Sequence, residues 1–206
     1  MQSNGRHSLS PVYPLIAQQV VDDYQVTRGT CVDIGTGPGH VGIELAKITD
    51  LEIYFVDLKP EVLAKAEHHV SECSLDNRVH FLEADVCQLP FCDHFADLVV
   101  SRGSLWFWDD QVKGLQEIHR VLKPGAIAFV GGGLGRYTPP SMRKRLKGQG
   151  RKMMEKHGGA KFLKGAELGQ LLSDTGLDGC RLVADEKDQP ATWIEIRKPS
   201  AETILL

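Results

Sequence analysis

Seven residues, Asp33-Ile34-Gly35-Thr36-Gly37-Pro38-Gly39, constrain this chain more than any others. The β-rich run Thr30 to Ile34 precedes them, and Val41 to Ile48, with the spacing of a helix, follows. A backbone that passes from extended to helical within so few residues must turn sharply, and glycine permits the turn without Cβ collisions. A strand delivered into a helix in this way opens a crossover unit, and crossover units build parallel sheets.

The rest of the chain repeats the alternation. Glu52 to Val56, Val79 to Leu82, Ala96 to Val100 and Ala126 to Val130 read as strands; Glu61 to Cys73 and Val112 to Leu122 read as helices, the second stopped by Pro124-Gly125. The near-continuous apolar run of Ala96 to Val100 suits a strand buried on both faces of a parallel sheet. Cys180 to Ala184 and Thr192 to Ile196, joined by a short loop, should pair as an antiparallel hairpin at one edge. The expectation is a single α/β domain over 1–206: a Rossmann-like, doubly wound, mostly parallel seven-stranded sheet with that edge hairpin. Residues 1–27, with an amphipathic helix from Pro14 to Tyr24, form an N-terminal lid. Residues 134–165, including a basic helical stretch from Met142 to Lys156, form a cap, and Gly165 to Thr175 is a further helix.

Open α/β sheets hold ligands beyond the carboxyl ends of their strands, where this turn lies. A dinucleotide fingerprint on Gly35 and Gly37 would require glycine at 40, where His40 stands; a P-loop would require Lys followed by Ser or Thr. With Pro38 and no basic side chain in the turn, a neutral or zwitterionic nucleoside fits better than a diphosphate. The turn resembles the first motif of class I S-adenosylmethionine-dependent methyltransferases. The likeness continues through Val56-Asp57, Glu83-Ala84-Asp85-Val86, Asp97 to Arg102, and Glu117 to Gly125, in order and in register. Leu89-Pro90-Phe91 and Leu122-Lys123-Pro124-Gly125 are similar to the branch that includes ubiquinone and menaquinone biosynthesis.

The resemblance implies S-adenosylmethionine as cofactor, with Gly35, Thr36, Gly37 and Gly39 beneath its methionine part and Asp33 near the amino group. Asp57 and Leu58 would meet the ribose side, Asp85 and Val86 the adenine edge, and Ser101 and Arg102 the sulfonium. The structural alternatives are that Asp33 caps the turn, Asp57 caps the helix that Pro60 opens, and Asp85 is a turn residue. It implies methyl transfer to a small-molecule acceptor by positioning and desolvation, so no catalytic residue is named. The alternative is a non-catalytic S-adenosylmethionine-binding module acting through a partner. No Asp/Asn-Pro-Pro-Tyr motif follows the fourth strand, which disfavours amino methylation of bases or glutamine.

Tyr13, Trp106, Gly132 and Gly133 are expected to wall the acceptor pocket, Tyr13 by closing over the cofactor or by stapling its helix to the core. The cluster Gly131-Gly132-Gly133-Leu134-Gly135 should offer backbone N–H groups to the crevice or act as a hinge. Phe107 is expected to pack the following helix onto the sheet. Arg102 divides between an anion and an ion pair with Asp97 or Asp109. His119 is read as a surface or half-buried structural residue, and His94 and the His68-His69 pair as facing solvent.

Charge is nearly balanced, 24 Lys and Arg against 27 Asp and Glu, which argues against wholesale nucleic-acid or membrane-surface binding. Residues 143–164 nevertheless hold nine Lys or Arg against one acid, Glu155, and would steer an anionic acceptor, dock an acidic partner protein or RNA, or simply present a solvated helix face. Five cysteines, an odd number without zinc-site spacing, suit a reducing compartment, and Cys87 and Cys92 are read as buried or incidental. No signal-peptide pattern or membrane-length apolar run is present. A metal-free, cytoplasmic monomer or simple homo-oligomer follows as the expectation.

Overall fold

The computed structural model describes residues 9–146 and 161–200. Its strands are β1 (Arg28–Ile34), β2 (Asp50–Asp57), β3 (Val79–Glu83), β4 (Ala96–Arg102), β5 (Leu122–Gly131), β6 (Cys180–Val183) and β7 (Trp193–Arg197). Its helices are α1 (Tyr13–Tyr24), α2 (His40–Ala46), α3 (Pro60–Ser71), α4 (Gln111–Val121), α5 (Pro140–Leu146) and α6 (Ala166–Asp174).

The strand order is β3-β2-β1-β4-β5-β7-β6. The first five strands are parallel, and β7 runs antiparallel to both β5 and β6. This is the doubly wound sheet with a C-terminal antiparallel hairpin that the alternation predicts. The chain lays β1 to β3 outward in one direction and then returns to place β4 beside β1, so the winding reverses between the ends of β1 and β4. A crevice opens at such a switch point.

Burial follows strand alternation. Val32, Ile34, Val56, Val99, Ala128 and Val130 pack in one cluster with Leu115 and Ile118 of α4 and Leu168 of α6. Cys31, Ile53, Phe55, Leu98, Val100 and Phe129 point the opposite way and pack with Ile16 and Val20 of α1 and Ile43 and Leu45 of α2. Side chains burying both faces explain why the strands read as apolar runs rather than alternating ones.

Most boundaries shift by one or two residues from the sequence reading, and two of the shifts have a clear cause. β5 starts at Leu122, because Leu122 pairs with Ala96 before a register irregularity that accommodates Pro124 and Gly125. α2 ends at Ala46, and Lys47 and Ile48 close onto Ile43 and Leu45 through backbone bonds. Of the basic segment, only Pro140–Leu146 is helix among the described residues; 147–160 lie outside them, as do 1–8 of the N-terminal segment.

Candidate functional site

At the switch point the glycine turn is held from beneath by Asp33. Alternation turns its side chain to the α1–α2 face, where one oxygen, Oδ2, accepts from Thr36 Oγ1 at 2.8 Å and from the Gly42 N–H at 3.0 Å. Asp33 is 2% exposed, and burial raises its carboxyl to about 7, against the lowering effect of those two bonds. Asp33 thus caps the turn from within; Thr36 is buried with it, and the Thr36 N–H donates to Val56 O at 3.0 Å.

A second tie comes from α3. His69 Nδ1 lies 2.9 Å from the Pro38 carbonyl, and its ring stacks on His40, which in turn packs against Tyr13 at 4.6 Å between ring centroids. The solvent-facing expectation therefore holds for His68 but not for His69, whose ring is half-buried against the turn. His94 is exposed and His119 half-buried, as expected.

A third tie joins β4 to β1. The Ser104 hydroxyl donates to the Ile34 carbonyl at 3.3 Å, accepts from the Trp108 indole N–H at 3.1 Å, and lies 2.7 Å from the Ser101 hydroxyl. A Cβ at Gly35 would overlap the Ser104 side chain, so the two segments meet with no space to spare. Sequence reasoning did not single out Ser104, although its place three residues after Ser101 put it at the same strand end.

On the open side, a Cβ at Gly37 or at Gly103 would meet no atom within 4 Å. Asp57, ending β2, accepts from the Gly37 N–H through Oδ2 and from the Lys59 N–H through Oδ1, both at 3.1 Å. One lone pair on each oxygen is used, leaving acceptor capacity for hydroxyls. Leu58 beside it is 58% exposed, an apolar surface next to a carboxylate. Asp85 accepts from the Cys87 N–H at 2.8 Å and is otherwise exposed, with Val86 buried below it. Bare backbone after β1, a two-oxygen acceptor with an exposed aliphatic side chain after β2, and an exposed carboxylate after β3 fit the zwitterionic chain, ribose and base of a nucleoside.

The acceptor side is more closed than expected. Trp106 is buried against Phe162, their ring centroids 4.5 Å apart, and a Cβ at Gly132 would press on both rings. The N–H groups of the second glycine cluster are largely spent within the protein. Gly132 N donates to Thr192 O at 3.0 Å, and Leu134 N and Gly135 N donate to the two oxygens of Asp185 at 2.7 and 3.0 Å. A Cβ at Gly133 would overlap Trp193, Thr192 and Asp185. The glycines there allow β5 to pass close under β7, which corrects the reading of them as donors into the crevice.

Trp108 takes the place expected of Phe107. Phe107 is 43% exposed, and it is Trp108 whose ring packs over Gly114 of α4. Arg102 meets neither Asp97 nor Asp109. Asp97 pairs with Lys123 at 2.6 Å, while Arg102 donates from Nε to Gly133 O at 3.2 Å and lies over the Tyr13 ring, 5.1 Å from its centroid. Arg143, counted among steering charges, has a structural role: it donates to Thr138 O and Gly135 O and pairs with Asp185 and Glu186.

A surface groove of about 780 Å³ lies at the opposite end of the strands, among Thr27, Thr30, Lys47, Asp50, Asp76 and Arg78. It is polar and away from the glycine turn. No metal-holding cluster of His, Cys, Asp or Glu occurs among the described residues, and none of their helices is long and apolar enough to cross a membrane.

Comparison with known proteins agrees with this geometry. Residues 32–130 match the family described as methyltransferase domain. Demethylmenaquinone methyltransferase of Porphyromonas gingivalis is 36% identical over 103 residues, which are 49% of this chain and 42% of that one. The chloroplastic 2-methyl-6-phytyl-1,4-hydroquinone methyltransferase 1 of Oryza sativa subsp. japonica is 36% identical over 98 residues, 47% of this chain and 28% of that one. The chain thus spans less than half the length of these curated relatives. A crystal structure from Methanococcus maripaludis, assigned as an S-adenosyl-L-methionine-dependent methyltransferase, superposes with a TM-score of 0.79 at 29% identity, covering 95% of this chain and 89% of that one. These matches make the chain similar to class I S-adenosylmethionine-dependent methyltransferases, through the family model over residues 32–130 and through the fold over 95% of its length.

Proposed function

We propose that this chain binds S-adenosylmethionine at the switch point and transfers its methyl group to a small-molecule acceptor. The observation that carries the reading is the bare Gly37 and Gly103 backbone flanking the β1–β4 crevice, with Asp57 one strand away. The cofactor would supply a methyl on a sulfonium, a carbon already joined to an excellent leaving group. The chain's own part is to hold and to dry. Asp33, His69 and Ser104 keep the turn in place, Asp57 accepts from ribose hydroxyls, Leu58 covers one face of the base, and Asp85 with the Val86 backbone meets its edge.

Trp106 and Phe162 form an apolar wall that excludes water from the acceptor side, and alignment in such a site can supply most of the acceleration. Tyr13 covers the crevice as part of an N-terminal lid. That lid is clasped to the segment after β5: Gln19 Oε1 accepts from the Arg136 N–H at 2.7 Å, Tyr137 donates to Asp22 at 2.6 Å, and Arg136 pairs with Asp23. Lid and cap therefore act as one cover. Five cysteines, none joined to another, support a cytoplasmic setting, and we read the protein as a monomer or simple homo-oligomer.

Calorimetry with S-adenosylhomocysteine is the first test, and no binding would sink the reading. Methyl transfer from radiolabelled S-adenosylmethionine to a panel of quinols and small organic acids is the second. Binding without transfer to any of them would leave a cofactor-binding module in place of an enzyme.

A further inference from the structure

The fate of Arg102 is unusual for a half-buried cation. It closes β4 at the switch point, yet among the described residues only its Nε–H finds an acceptor, Gly133 O, and no carboxylate lies within ion-pairing distance. The nearest carboxylate it senses, Asp185, is committed elsewhere. Asp185 Oδ1 takes the N–H groups of Gly135 and Trp193, and Oδ2 takes the Leu134 N–H and Arg143. The other neighbour is the face of Tyr13, a π surface that steadies a guanidinium without neutralising it. Burial without a counter-charge lowers the Arg102 pKa, with Tyr13 and Asp185 offsetting only part of the effect.

A guanidinium offers five N–H donors in a planar fork matched to carboxylate and phosphate. Here the Nε bond and the Tyr13 ring fix the plane, while four Nη–H donors remain. The adjacent Gly103 presents no side chain to obstruct an approaching group. Position separates this fork from the nucleoside site. With strands about 4.8 Å apart, Gly133 beyond β5 is three strand spacings, about 14 Å, from Asp57 at the end of β2.

We propose that Arg102 is the receptor for an oxyanion, a carboxylate or phosphate, carried by the methyl acceptor. The inference rests on the methyltransferase reading above and adds the charge of the substrate to it. It sets this chain apart from the quinones that its relatives' names mention, which carry no such group.

The test compares wild type with Arg102→Gln and Arg102→Lys by calorimetry. S-adenosylhomocysteine and 5′-methylthioadenosine, which lacks the amino-acid end, report on the nucleoside site; benzoate, phenyl phosphate and uncharged benzamide then probe the saturated protein. The expected result is binding of an anionic probe but not benzamide, lost by about tenfold or more in Arg102→Gln and partly kept in Arg102→Lys, with both nucleosides unaffected. Nucleoside binding also shows that each variant is folded. Weakened S-adenosylhomocysteine with unchanged 5′-methylthioadenosine would assign Arg102 to the cofactor's own carboxylate and overturn the proposal. Failure of both anions to bind wild type, or equal anion binding by all three proteins, would overturn it as well. If wild type binds neither nucleoside, the methyltransferase reading falls and this inference with it.

Discussion

Two glycines of one turn carry different burdens. Both adopt the left-handed conformation, with φ of +58° at Gly35 and +57° at Gly37, but only Gly35 is backed by another side chain. Gly35→Ala should destabilise by more than about 2 kcal/mol, from overlap with Ser104 added to backbone strain. Gly37→Ala should cost about 1 kcal/mol and act mainly on cofactor affinity; urea unfolding beside calorimetry separates the two. Asp57→Ala is expected to weaken S-adenosylhomocysteine about tenfold while leaving the fold intact. Asp33 makes a prediction about pH. Its folded value near 7 exceeds the ordinary 3.8, so the folded state retains a proton that the unfolded state has released. Below about 4 its contribution is level; stability then falls as pH rises toward 7 and levels again above. Asp33→Asn can accept both existing bonds through one oxygen, and its stability profile should be flatter across that window in pH-dependent denaturant titrations.

Motifs that resemble a family's fingerprint can be packing devices when seen as elements. Arg120, within Glu117 to Gly125, grips the loop after β3. Its guanidinium binds Glu117 through two nitrogens, donates to the carbonyls of Leu89 and Phe91, and pairs with Asp93. Glu117 in turn accepts from the Leu89 N–H at 3.0 Å. That loop carries Asp85 and Val86, so α4 positions the adenine side of the site from behind. Arg120→Lys keeps the charge and loses the fork; it should cost about 1–3 kcal/mol in urea unfolding. At the other edge, Glu195 of β7 is buried, which pushes its carboxyl up, yet bonds from Arg181 and Tyr24 pull it net below the usual range. Tyr24→Phe should therefore loosen α1 from the sheet, read as faster hydrogen exchange in α1.

For the molecule as a whole, what could be read in advance depended on the range of the interactions. The strands were visible because they are covered on both faces, Val32, Val99 and Ala128 on one and Cys31, Leu98 and Phe129 on the other, and such residues need no particular partner to be apolar. The glycine turn was visible because its cause lies within seven residues. The contacts of Ser104 with Ile34, of His69 with Pro38 and of Asp185 with Gly135 join residues 31 to 70 positions apart. No local pattern announces them. The choice between Phe107 and Trp108 is similar: two adjacent aromatics satisfy the same composition, and only the passage of Gly114 beneath the larger ring selects Trp108.

The last feature to weigh is the place of β7. Trp193 stacks on Phe129 with ring centroids 4.3 Å apart, and β7 pairs with β5 from Ile127 to Gly131, although some sixty residues separate the two strands. During synthesis, β5 must therefore wait as an uncovered, apolar sheet edge while the cap and α6 are made. Such an edge invites pairing with other chains. A nascent chain paused before Thr192 should be aggregation-prone even though every group of the nucleoside site has already been translated, and its rescue by a chaperone should end when β7 emerges.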